Sequence, residues 1–259
     1  MSADLHTLVL SPHLDDGVLS CGGEMNQLAA RGERVAMATL CTAEMGTEAT
    51  PFARKVFRYM DLDWRTGMAA RREEDLVACG VLGVEALHFD LGEAINRYVP
   101  SGRGARCPYS SGLTLFGPPN AEDEQIVAAQ LDEIFASLPS ARNWLVPLGI
   151  GGHVDHRLVR AAAERQAPDA GVELVYYEDF PYSRKLKNRL RVLGLPWGRK
   201  LQPTTVRLAA DDLEQKIESI AAYGSQVAPL FGDRRQLADA VHTDARRCGG
   251  GERRWVRTR

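Results

Sequence analysis

The sequence predicts a single α/β domain in which a mostly parallel sheet is covered by helices on both faces. Short apolar stretches of strand length alternate with longer segments of helical periodicity along the chain. This alternation is typical of parallel sheets with crossover helices. The length of 259 residues fits one large α/β domain. A composition with 44% hydrophobic and 25% charged residues is that of an ordinary globular protein, so we treat residues 1–259 as one domain.

The bounds of the individual elements follow from the apolar pattern and from the glycines that end helical segments. Gly32 and Gly83 each follow a helical segment directly, as is common at helix C-termini. The predicted strands are residues 7–10, 35–41, 86–90, 143–147 and 172–178. The predicted helices are residues 17–31, 67–82, 121–138, 154–166 and 210–223.

Two segments interrupt this alternation and are predicted to be long active-site loops, near residues 92–120 and 183–203. The first combines Gly, Pro and Ser with little periodicity, and structureless stretches of this length in a compact domain are usually functional. The second contains a polar, basic insertion at residues 184–199. For that insertion a solvated helix face is the simpler interpretation.

Charge and hydropathy argue against several classes of partner. The formal net charge of −2 gives no reason to expect nucleic acid or an anionic membrane surface. No apolar run approaches the roughly 20 residues needed to cross a bilayer. Residues 1–7 lack the basic and then apolar design of a signal peptide. We expect a cytoplasmic protein whose basic final segment, residues 246–259, is packed through Trp255 and does not bind nucleic acid.

The five cysteines are dispersed along the chain and form no CxxC pair. An odd, scattered set is unlike a disulfide framework or a cysteine zinc site. We expect reduced thiols that mostly contribute to packing. These residues are Cys21, Cys41, Cys79, Cys107 and Cys248.

A histidine and two carboxylates directly follow the first predicted strand, at His13, Asp15 and Asp16. In an open α/β sheet the carboxyl ends of the strands are where ligands bind. His13 and Asp16, three residues apart on a tight turn, can converge on one ion such as zinc. Asp15 can then face a bound water and take its proton. The structural alternative is an aspartate that only caps the following helix.

A second polar group, residues 149–156, follows the fourth predicted strand and enters a helix. His156 is the natural third metal ligand. His153 would face the same cavity, where it could stabilise an oxyanion or protonate a leaving amine. Asp155 could hold one of the imidazoles in the required tautomer, although it could also be a simple helix cap. Because a parallel sheet brings strand ends together, we expect the two groups to form one metal site.

These two segments together resemble the PIG-L/LmbE-like family of zinc-dependent N-deacetylases. The family motifs are a His-Pro-Asp-Asp-Glu-like run near the N-terminus and a His-x-Asp-His run well downstream. Residues 12–16 and 153–156 match them. Weaker matches extend the resemblance over most of the chain. They are Arg71, Glu74, Ala78, Leu82 and Gly83, the run 177–182, and Lys216, Tyr223, Ser225 and Gln226.

The resemblance implies a Rossmann-like fold and hydrolysis of an N-acyl group, commonly acetyl on an amino sugar. It implies Zn²⁺ as cofactor, with another divalent metal such as Fe²⁺ as the alternative. By motif position it assigns metal binding to His13, Asp16 and His156, the general base to Asp15, oxyanion stabilisation to His153, and support of a histidine to Asp155.

Substrate recognition is expected from residues around the loops. Four candidates could hydrogen-bond sugar hydroxyls or a phosphate. For Arg71, which matches a substrate-contacting arginine in mycothiol-pathway members, the alternative is a pair with Glu74 on its helix. For Glu178 the alternative is a buried structural role. The four candidates are Arg71, Glu93, Arg97 and Glu178.

The chain departs from the family motifs at three positions. Leu14 replaces the usual Pro of the first motif, and Val154 stands where the second motif often has Pro. Gly17 replaces the usual Glu, which is not expected to bind the metal. Its loss should remove one hydrogen bond behind the metal ligands.

Other functions remain compatible with the sequence. One is an amidase that cleaves a thiol conjugate or a longer acyl group, and another is a family member recruited to non-hydrolytic metal chemistry in natural-product biosynthesis. A third is a non-catalytic nucleotide-binding module, which would require a Gly-rich turn after the first strand. Gly22 and Gly23 instead lie inside the predicted helix, where they suit close packing. In the favoured interpretation the partner is a small N-acylated substrate, in particular a sugar; oligomerisation stays open.

Overall fold

The computed structural model describes residues 5–102, 104–195 and 198–258. They form a seven-stranded sheet with strand order β3-β2-β1-β6-β7-β9-β8 and a separate two-stranded hairpin, β4-β5. The strands are β1 (Leu5–Ser11), β2 (Val35–Thr39), β3 (Glu85–His88), β4 (Val99–Ser101), β5 (Gly104–Arg106), β6 (Ala141–Pro147), β7 (Glu173–Tyr177), β8 (Leu201–Arg207) and β9 (Gly251–Arg257).

Helices cover both faces of the large sheet. On one face α1, α3 and α8 pack against one another, and on the other α5 packs against α6. The helices are α1 (Asp16–Ala30), α2 (Pro51–Tyr59), α3 (Gly67–Leu82), α4 (Gly112–Leu115), α5 (Ala121–Ser137), α6 (Val154–Ala170), α7 (Leu186–Leu193), α8 (Ala210–Ala221), α9 (Gly224–Phe231) and α10 (Arg234–Arg247).

The sheet reverses its direction of winding between β1 and β6. The first three strands run outward from this point in one direction, β6 and β7 continue in the other, and all four pairings among them are parallel. Among the described strands of this sheet, the antiparallel pairings are those of β9 with β7 and β8. Because crossovers leave in opposite directions at such a switch point, a crevice opens at the carboxyl ends of β1 and β6.

Alternation along the strands divides the core into two layers. On β1, Leu8 and Leu10 belong to the layer beneath α5 and α6, whereas Val9 belongs to the layer beneath α1, α3 and α8. A third apolar cluster lies beyond the carboxyl ends of the strands and includes Phe57 and Tyr109. This cluster supports the segments that surround the crevice.

The predicted α/β architecture with a mostly parallel sheet is confirmed. All five predicted strands and all five predicted helices are present, with ends shifted by a few residues. The helix predicted to end at residue 166 continues to Ala170 in spite of Pro168, and Gly171 ends it with a φ of 64°. The pattern did not indicate α2, α4, α9, α10 or the strands β4, β5, β8 and β9. These elements are short or polar, or have edge positions.

The segments predicted to be long loops are more structured than the sequence indicated. Residues 92–120 contain a 3₁₀ turn, the β4-β5 hairpin and α4, and residues 183–203 contain α7 and the start of β8. Residue 103 in the first segment and residues 196–197 in the second lie outside the described residues. The predicted helix face in the basic insertion corresponds to α7.

Residues 251–257 of the basic final segment form β9 inside the sheet, so this part of the segment is packed, as Trp255 indicated. The described helices include none with the length and apolar character needed to cross a membrane. All five cysteines are free thiols.

Candidate metal centre and catalytic cavity

The two sequence motifs meet at the switch point of the sheet. The first begins where β1 ends and leads into α1, and the second begins after β6 and leads into α6. The turn after β1 is held by Ser11, whose hydroxyl donates to His13 O (2.6 Å) and accepts from Gly17 N–H (2.9 Å). Asp15 has a φ of 149°, a strained conformation for a residue with a side chain. Such strain often occurs at functional sites.

Two histidine nitrogens converge on one carboxylate. His13 Nδ1 lies 2.9 Å from Asp16 Oδ2, and His156 Nε2 lies 3.1 Å from the same oxygen. The rings of His13, His153 and His156 also lie close enough for one nitrogen of each to approach a common ion. The structure therefore brings together the three residues that the sequence suggested as metal ligands.

Each of the two converging histidines is held from behind by a buried aspartate. Asp155 Oδ2 lies 3.0 Å from His13 Nε2, and Asp179 Oδ1 lies 2.6 Å from His156 Nδ1. Both carboxylates accept a hydrogen bond from the backbone as well, from Ala94 and Ile150 respectively. This arrangement leaves His13 Nδ1 and His156 Nε2 directed at the same point, as carboxylate–histidine–metal arrangements require.

The donor set fits a metal ion. His156 Nε2 is buried and makes no hydrogen bond of acceptable geometry with the described residues, which is unusual for a buried polar atom. Burial opposes protonation of His156, but the Asp16 and Asp179 carboxylates outweigh it and raise its pKa to about 9. Burial is likewise outweighed at His13, whose pKa is raised by Asp155 and Asp16. The surroundings thus favour a cation, and two imidazoles with a carboxylate are ligands typical of catalytic zinc.

Asp15 lines the cavity beside these ligands, and its carboxylate accepts no hydrogen bond from the described part of the chain. Burial, together with the neighbouring Asp16 charge, raises its pKa to about 8, against the opposing effect of Arg71. A carboxylate that is buried, unpaired and next to a cation site has the position required of a general base.

His153 also lines the cavity. Its Nδ1 accepts a hydrogen bond from the Asp155 N–H (3.2 Å), so a neutral ring carries its proton on Nε2. Burial lowers the pKa of His153, and the neighbouring His13 and His156 lower it further. A neutral imidazole with a free Nε2–H is a hydrogen-bond donor suited to an oxygen that becomes negatively charged.

The cavity has a volume of about 180 Å³ and is lined by both charged and apolar side chains. Arg71 and Glu93 form a buried ion pair along one wall, with Arg71 Nη1 2.6 Å from Glu93 Oε1. Leu115 and Phe116 lie on the wall contributed by α4 and its C-terminal end. Two of the four suggested substrate-binding residues therefore face this cavity.

The structure does not bring the other two substrate-binding candidates to the cavity. The guanidinium of Arg97 is buried between Asp123 (2.8 Å) and Asp155, behind the candidate metal centre. Glu178 accepts hydrogen bonds from Arg247 (2.7 Å) and from the Trp255 indole (3.1 Å). Its position corresponds to the buried structural role that was the alternative. The sequence could not separate these roles because they depend on contacts with distant elements.

The role of Asp179 was not predicted from the sequence, although this residue belongs to a run that is part of the family resemblance. A signal was available: Asp179 follows β7, whose carboxyl end lies beside that of β6. The polar residue two positions after the strand end could have been placed near His156 on that ground. The run itself does not show in which direction each side chain points, so it could not separate Asp179 from the suggested Glu178.

The three departures from the family motifs have structural reasons. Leu14 and Val154 are fully buried in the third apolar cluster, so both replacements for Pro contribute packing next to the candidate metal ligands. At Gly17 a Cβ atom would lie 2.5 Å from Met37 Sδ. The buried methionine side chain occupies the space into which a glutamate would have to extend.

Fold and site together define a class: α/β proteins with a metal-site-like cluster of histidines and carboxylates at the switch point of the sheet. Within this class the chain belongs to the PIG-L family, because the family model described as GlcNAc-PI de-N-acetylase matches residues 8–167. This confirms the resemblance seen in the sequence. A relative, 2'-N-acetylparomamine deacetylase from Streptomyces fradiae, is 33% identical over 220 residues, 85% of this chain and 73% of the relative.

Solved structures share the fold over almost the whole chain. A deacetylase of the teicoplanin biosynthesis pathway superposes with a TM-score of 0.84 at 24% identity, and the match covers 98% of both chains. The zinc-inhibited form of teicoplanin deacetylase gives a TM-score of 0.78 at 23% identity, again over 98% of both chains. The fold is therefore that of known deacetylases.

Proposed function

We propose that this protein is a zinc-dependent hydrolase that removes an N-acetyl group from an amino sugar or a glycosylated small molecule. The observation that carries the proposal is the convergence of His13, Asp16 and His156 on one point, in a cavity that Asp15 and His153 also line. The relationship to a 2'-N-acetylparomamine deacetylase supports an acetylated amino sugar as substrate. The zinc-inhibited form of teicoplanin deacetylase, which has the same fold, supports a divalent metal as cofactor.

We assign metal binding to His13 Nδ1, one carboxylate oxygen of Asp16 and His156 Nε2. When bound there, zinc would polarise the acyl oxygen and lower the pKa of water to about 7. Asp155 and Asp179 keep the two imidazoles in the tautomers that direct a lone pair at the ion. Arg97 supports the site indirectly, because its ion pair with Asp155 holds that carboxylate in place.

Asp15 acts as the general base. It accepts a proton from the attacking water while the water oxygen forms a bond to the acyl carbon. His153 donates a hydrogen bond from Nε2 to the oxygen that becomes negatively charged. When the carbon–nitrogen bond breaks, the proton held by Asp15 passes to the leaving amine, and acetate and the free amino sugar are the products.

We assign substrate contacts to the Arg71–Glu93 pair and enclosure of the acyl group to the first long loop. Glu93, Ile95, Leu115 and Phe116 from residues 92–120 all line the cavity, and Tyr182, just before the second long segment, lines it as well. A buried ion pair offers both donors and an acceptor, which is the combination that sugar hydroxyls require.

The test is acetate release from N-acetylated amino sugars by zinc-replete protein, comparing wild type with Asp15→Asn. Loss of a general base should lower turnover by about 10²- to 10⁴-fold, while zinc content stays the same because Asp15 is not a ligand. Asp211→Asn, an exposed aspartate at the start of α8, is the matched control and should retain full activity.

Normal turnover by Asp15→Asn would refute the assignment of the base. Stoichiometric zinc without acetate release from any substrate would favour the alternatives, which are a longer acyl group, a thiol conjugate or non-hydrolytic metal chemistry. Absence of zinc binding would favour a non-catalytic module.

A further inference from the structure

A second cavity, lined by three arginines, lies next to the catalytic one. Arg157 and Arg160 from α6 and Arg191 from α7 line a space of about 330 Å³, which we call the arginine cavity. Phe116 lines both cavities and separates them. The basic insertion that the proposed mechanism leaves without a role therefore contributes to a defined space beside the metal centre.

The arginine cavity is lined by basic side chains. The described residues that line it include no aspartate or glutamate. Arg157 Nη1 donates to Gly117 O (2.8 Å) and Arg160 Nη1 donates to Leu148 O (2.7 Å). Each of these carbonyls holds one guanidinium group in place. The carboxylate of Glu164 is 3.9 Å from Arg160 Nε and also accepts the Tyr176 hydroxyl.

The arginine cavity brings the side chains of Arg157, Arg160 and Arg191 to one space. Like charges held together at a partly buried site are unfavourable unless an anion joins them. Arginine is also the residue whose planar donors best match phosphate and carboxylate groups.

The remaining walls make the arginine cavity accessible to a small group. Gly149 and Gly152 line it with φ values of 81° and 85°. A Cβ at Gly149 would lie 3.4 Å from Arg160 Nη1, so glycine keeps this side open. Because the same turn ends at His153, a group bound in the arginine cavity would lie one short turn away from the proposed oxyanion donor.

We propose that the arginine cavity binds an oxyanion of the phosphate or carboxylate class. The anion is either a group on the distal part of the substrate or a free ion. The substrate-borne form rests on the proposed function, whereas binding of a free anion does not.

Calorimetric titration of the zinc-replete protein with inorganic phosphate tests the binding site. Wild type should bind phosphate, and Arg157→Gln and Arg191→Gln should each weaken binding by about tenfold or more, because each removes a charged hydrogen bond. Arg235→Gln, an exposed arginine on α10, is the control and should bind as wild type does. Thermal unfolding of each variant verifies that it is folded, and Arg191 is exposed enough to be replaced without loss of packing.

Absence of phosphate binding would overturn the proposal. So would equal binding by wild type and both cavity variants, since phosphate held at the metal centre alone would not respond to these substitutions. This titration needs no turnover, so its outcome is independent of whether the protein proves to be a deacetylase.

The source of the anion is resolved by comparing KM for N-acetylglucosamine and N-acetylglucosamine 6-phosphate. For a substrate-borne group, the phosphorylated sugar should have a KM about tenfold lower, and Arg191→Gln should remove that difference. For a free ion, phosphate binds but the two sugars have equal KM values. Both results support the site when accompanied by arginine-dependent phosphate binding.

Discussion

At the scale of single residues, the site depends on aspartates that do not touch the proposed metal. His13 and His156 direct different ring nitrogens, Nδ1 and Nε2, at the same point, because Asp155 and Asp179 hold the opposite nitrogen of each ring. Asp179 also ties this arrangement to the turn after β6, since it accepts the Ile150 N–H at 2.7 Å. Asp155 and Asp179 therefore determine the orientation of the two proposed histidine ligands.

Replacement of Asp179 should test this dependence directly. In Asp179→Asn the amide can donate to His156 Nδ1, which favours the tautomer with the proton on the ligating Nε2. We expect zinc affinity to fall by about 10- to 100-fold, measured by competition with a chelator of known affinity. Asp132→Asn, on the exposed face of α5, serves as control. Unchanged zinc affinity in Asp179→Asn would remove the case for its supporting role.

At the scale of elements, α1 is the helix whose packing positions the first motif. Its N-terminal end lies so close to the sheet that a Cβ at Gly17 would meet Met37 Sδ at 2.5 Å. Further along, Glu24 lies in a buried group with Glu252, Lys216 and Arg254, which joins α1 to α8 and β9. The helix is thus held by close contact at one end and by charge pairing in its second half.

The close contact predicts an unfavourable effect of adding a single methyl group. Gly17→Ala should lower the free energy of unfolding by about 1–3 kcal/mol, the usual effect of overpacking a core, as measured by urea denaturation. Gly80→Ala is the matched control, because Gly80 lies in α3 and a Cβ added there would have open space around it. Gly80→Ala should raise the free energy of unfolding by about 0.5–1 kcal/mol. Equal effects of the two substitutions would contradict the packing argument.

The buried charges of α1 predict a pH dependence of stability. Burial raises the pKa of Glu24 to about 7, Arg254 and Lys216 oppose this, and Glu252 adds to it. Because the pKa of Glu24 is higher in the folded than in the unfolded state, the folded state binds more protons between about pH 4.5 and 7. The contribution of Glu24 to the free energy of unfolding therefore falls as the pH rises through that range. Glu24→Gln should therefore become more stable relative to wild type from pH 5 to pH 7. Denaturant titrations at both pH values measure this, and a constant difference would contradict it.

At the scale of the whole molecule, the switch point of the sheet explains why two distant motifs form one site. Residues of the first motif follow β1 and residues of the second follow β6, and these strands are hydrogen-bonded neighbours with parallel register, Val9 opposite Leu145. A metal ion bound there would join the starts of α1 and α6, which cover opposite faces of the sheet. Metal binding and stability of the fold should therefore be coupled.

Removal of zinc should lower the thermal midpoint of unfolding. At a free zinc concentration 100 times the dissociation constant, binding adds about 2.7 kcal/mol, and a domain of this size shifts by about 2–4 °C per kcal/mol. Differential scanning calorimetry before and after dialysis against a chelator, and after zinc is restored, measures the shift. His156→Ala should show no response to zinc, and an unchanged wild-type midpoint would count against a metal centre at this position.

Some features were accessible from the sequence because they depend on local patterns. The five parallel strands and the five predicted helices appear as apolar stretches and helical periodicity, and glycines mark the ends of some of these helices. The chemistry of the candidate site was accessible for the same reason: His13, Asp15, Asp16, His153 and His156 occupy two short runs directly after predicted strands. Strand ends of a parallel sheet meet at one edge, so position in the sequence was sufficient to suggest one metal site.

By itself, then, the sequence determined the α/β class, the two motifs and the family, since all three are expressed in short-range order. Only the tertiary structure decided which atoms face which. It directed Arg97 and Glu178 away from the cavity, placed Asp179 behind His156, and set the antiparallel pairing of β8 and β9 at one edge of the sheet. Each of these features depends on contacts between segments that are far apart in the chain. The energy of such contacts has little effect on the sequence pattern of either segment, so the pattern does not predict them.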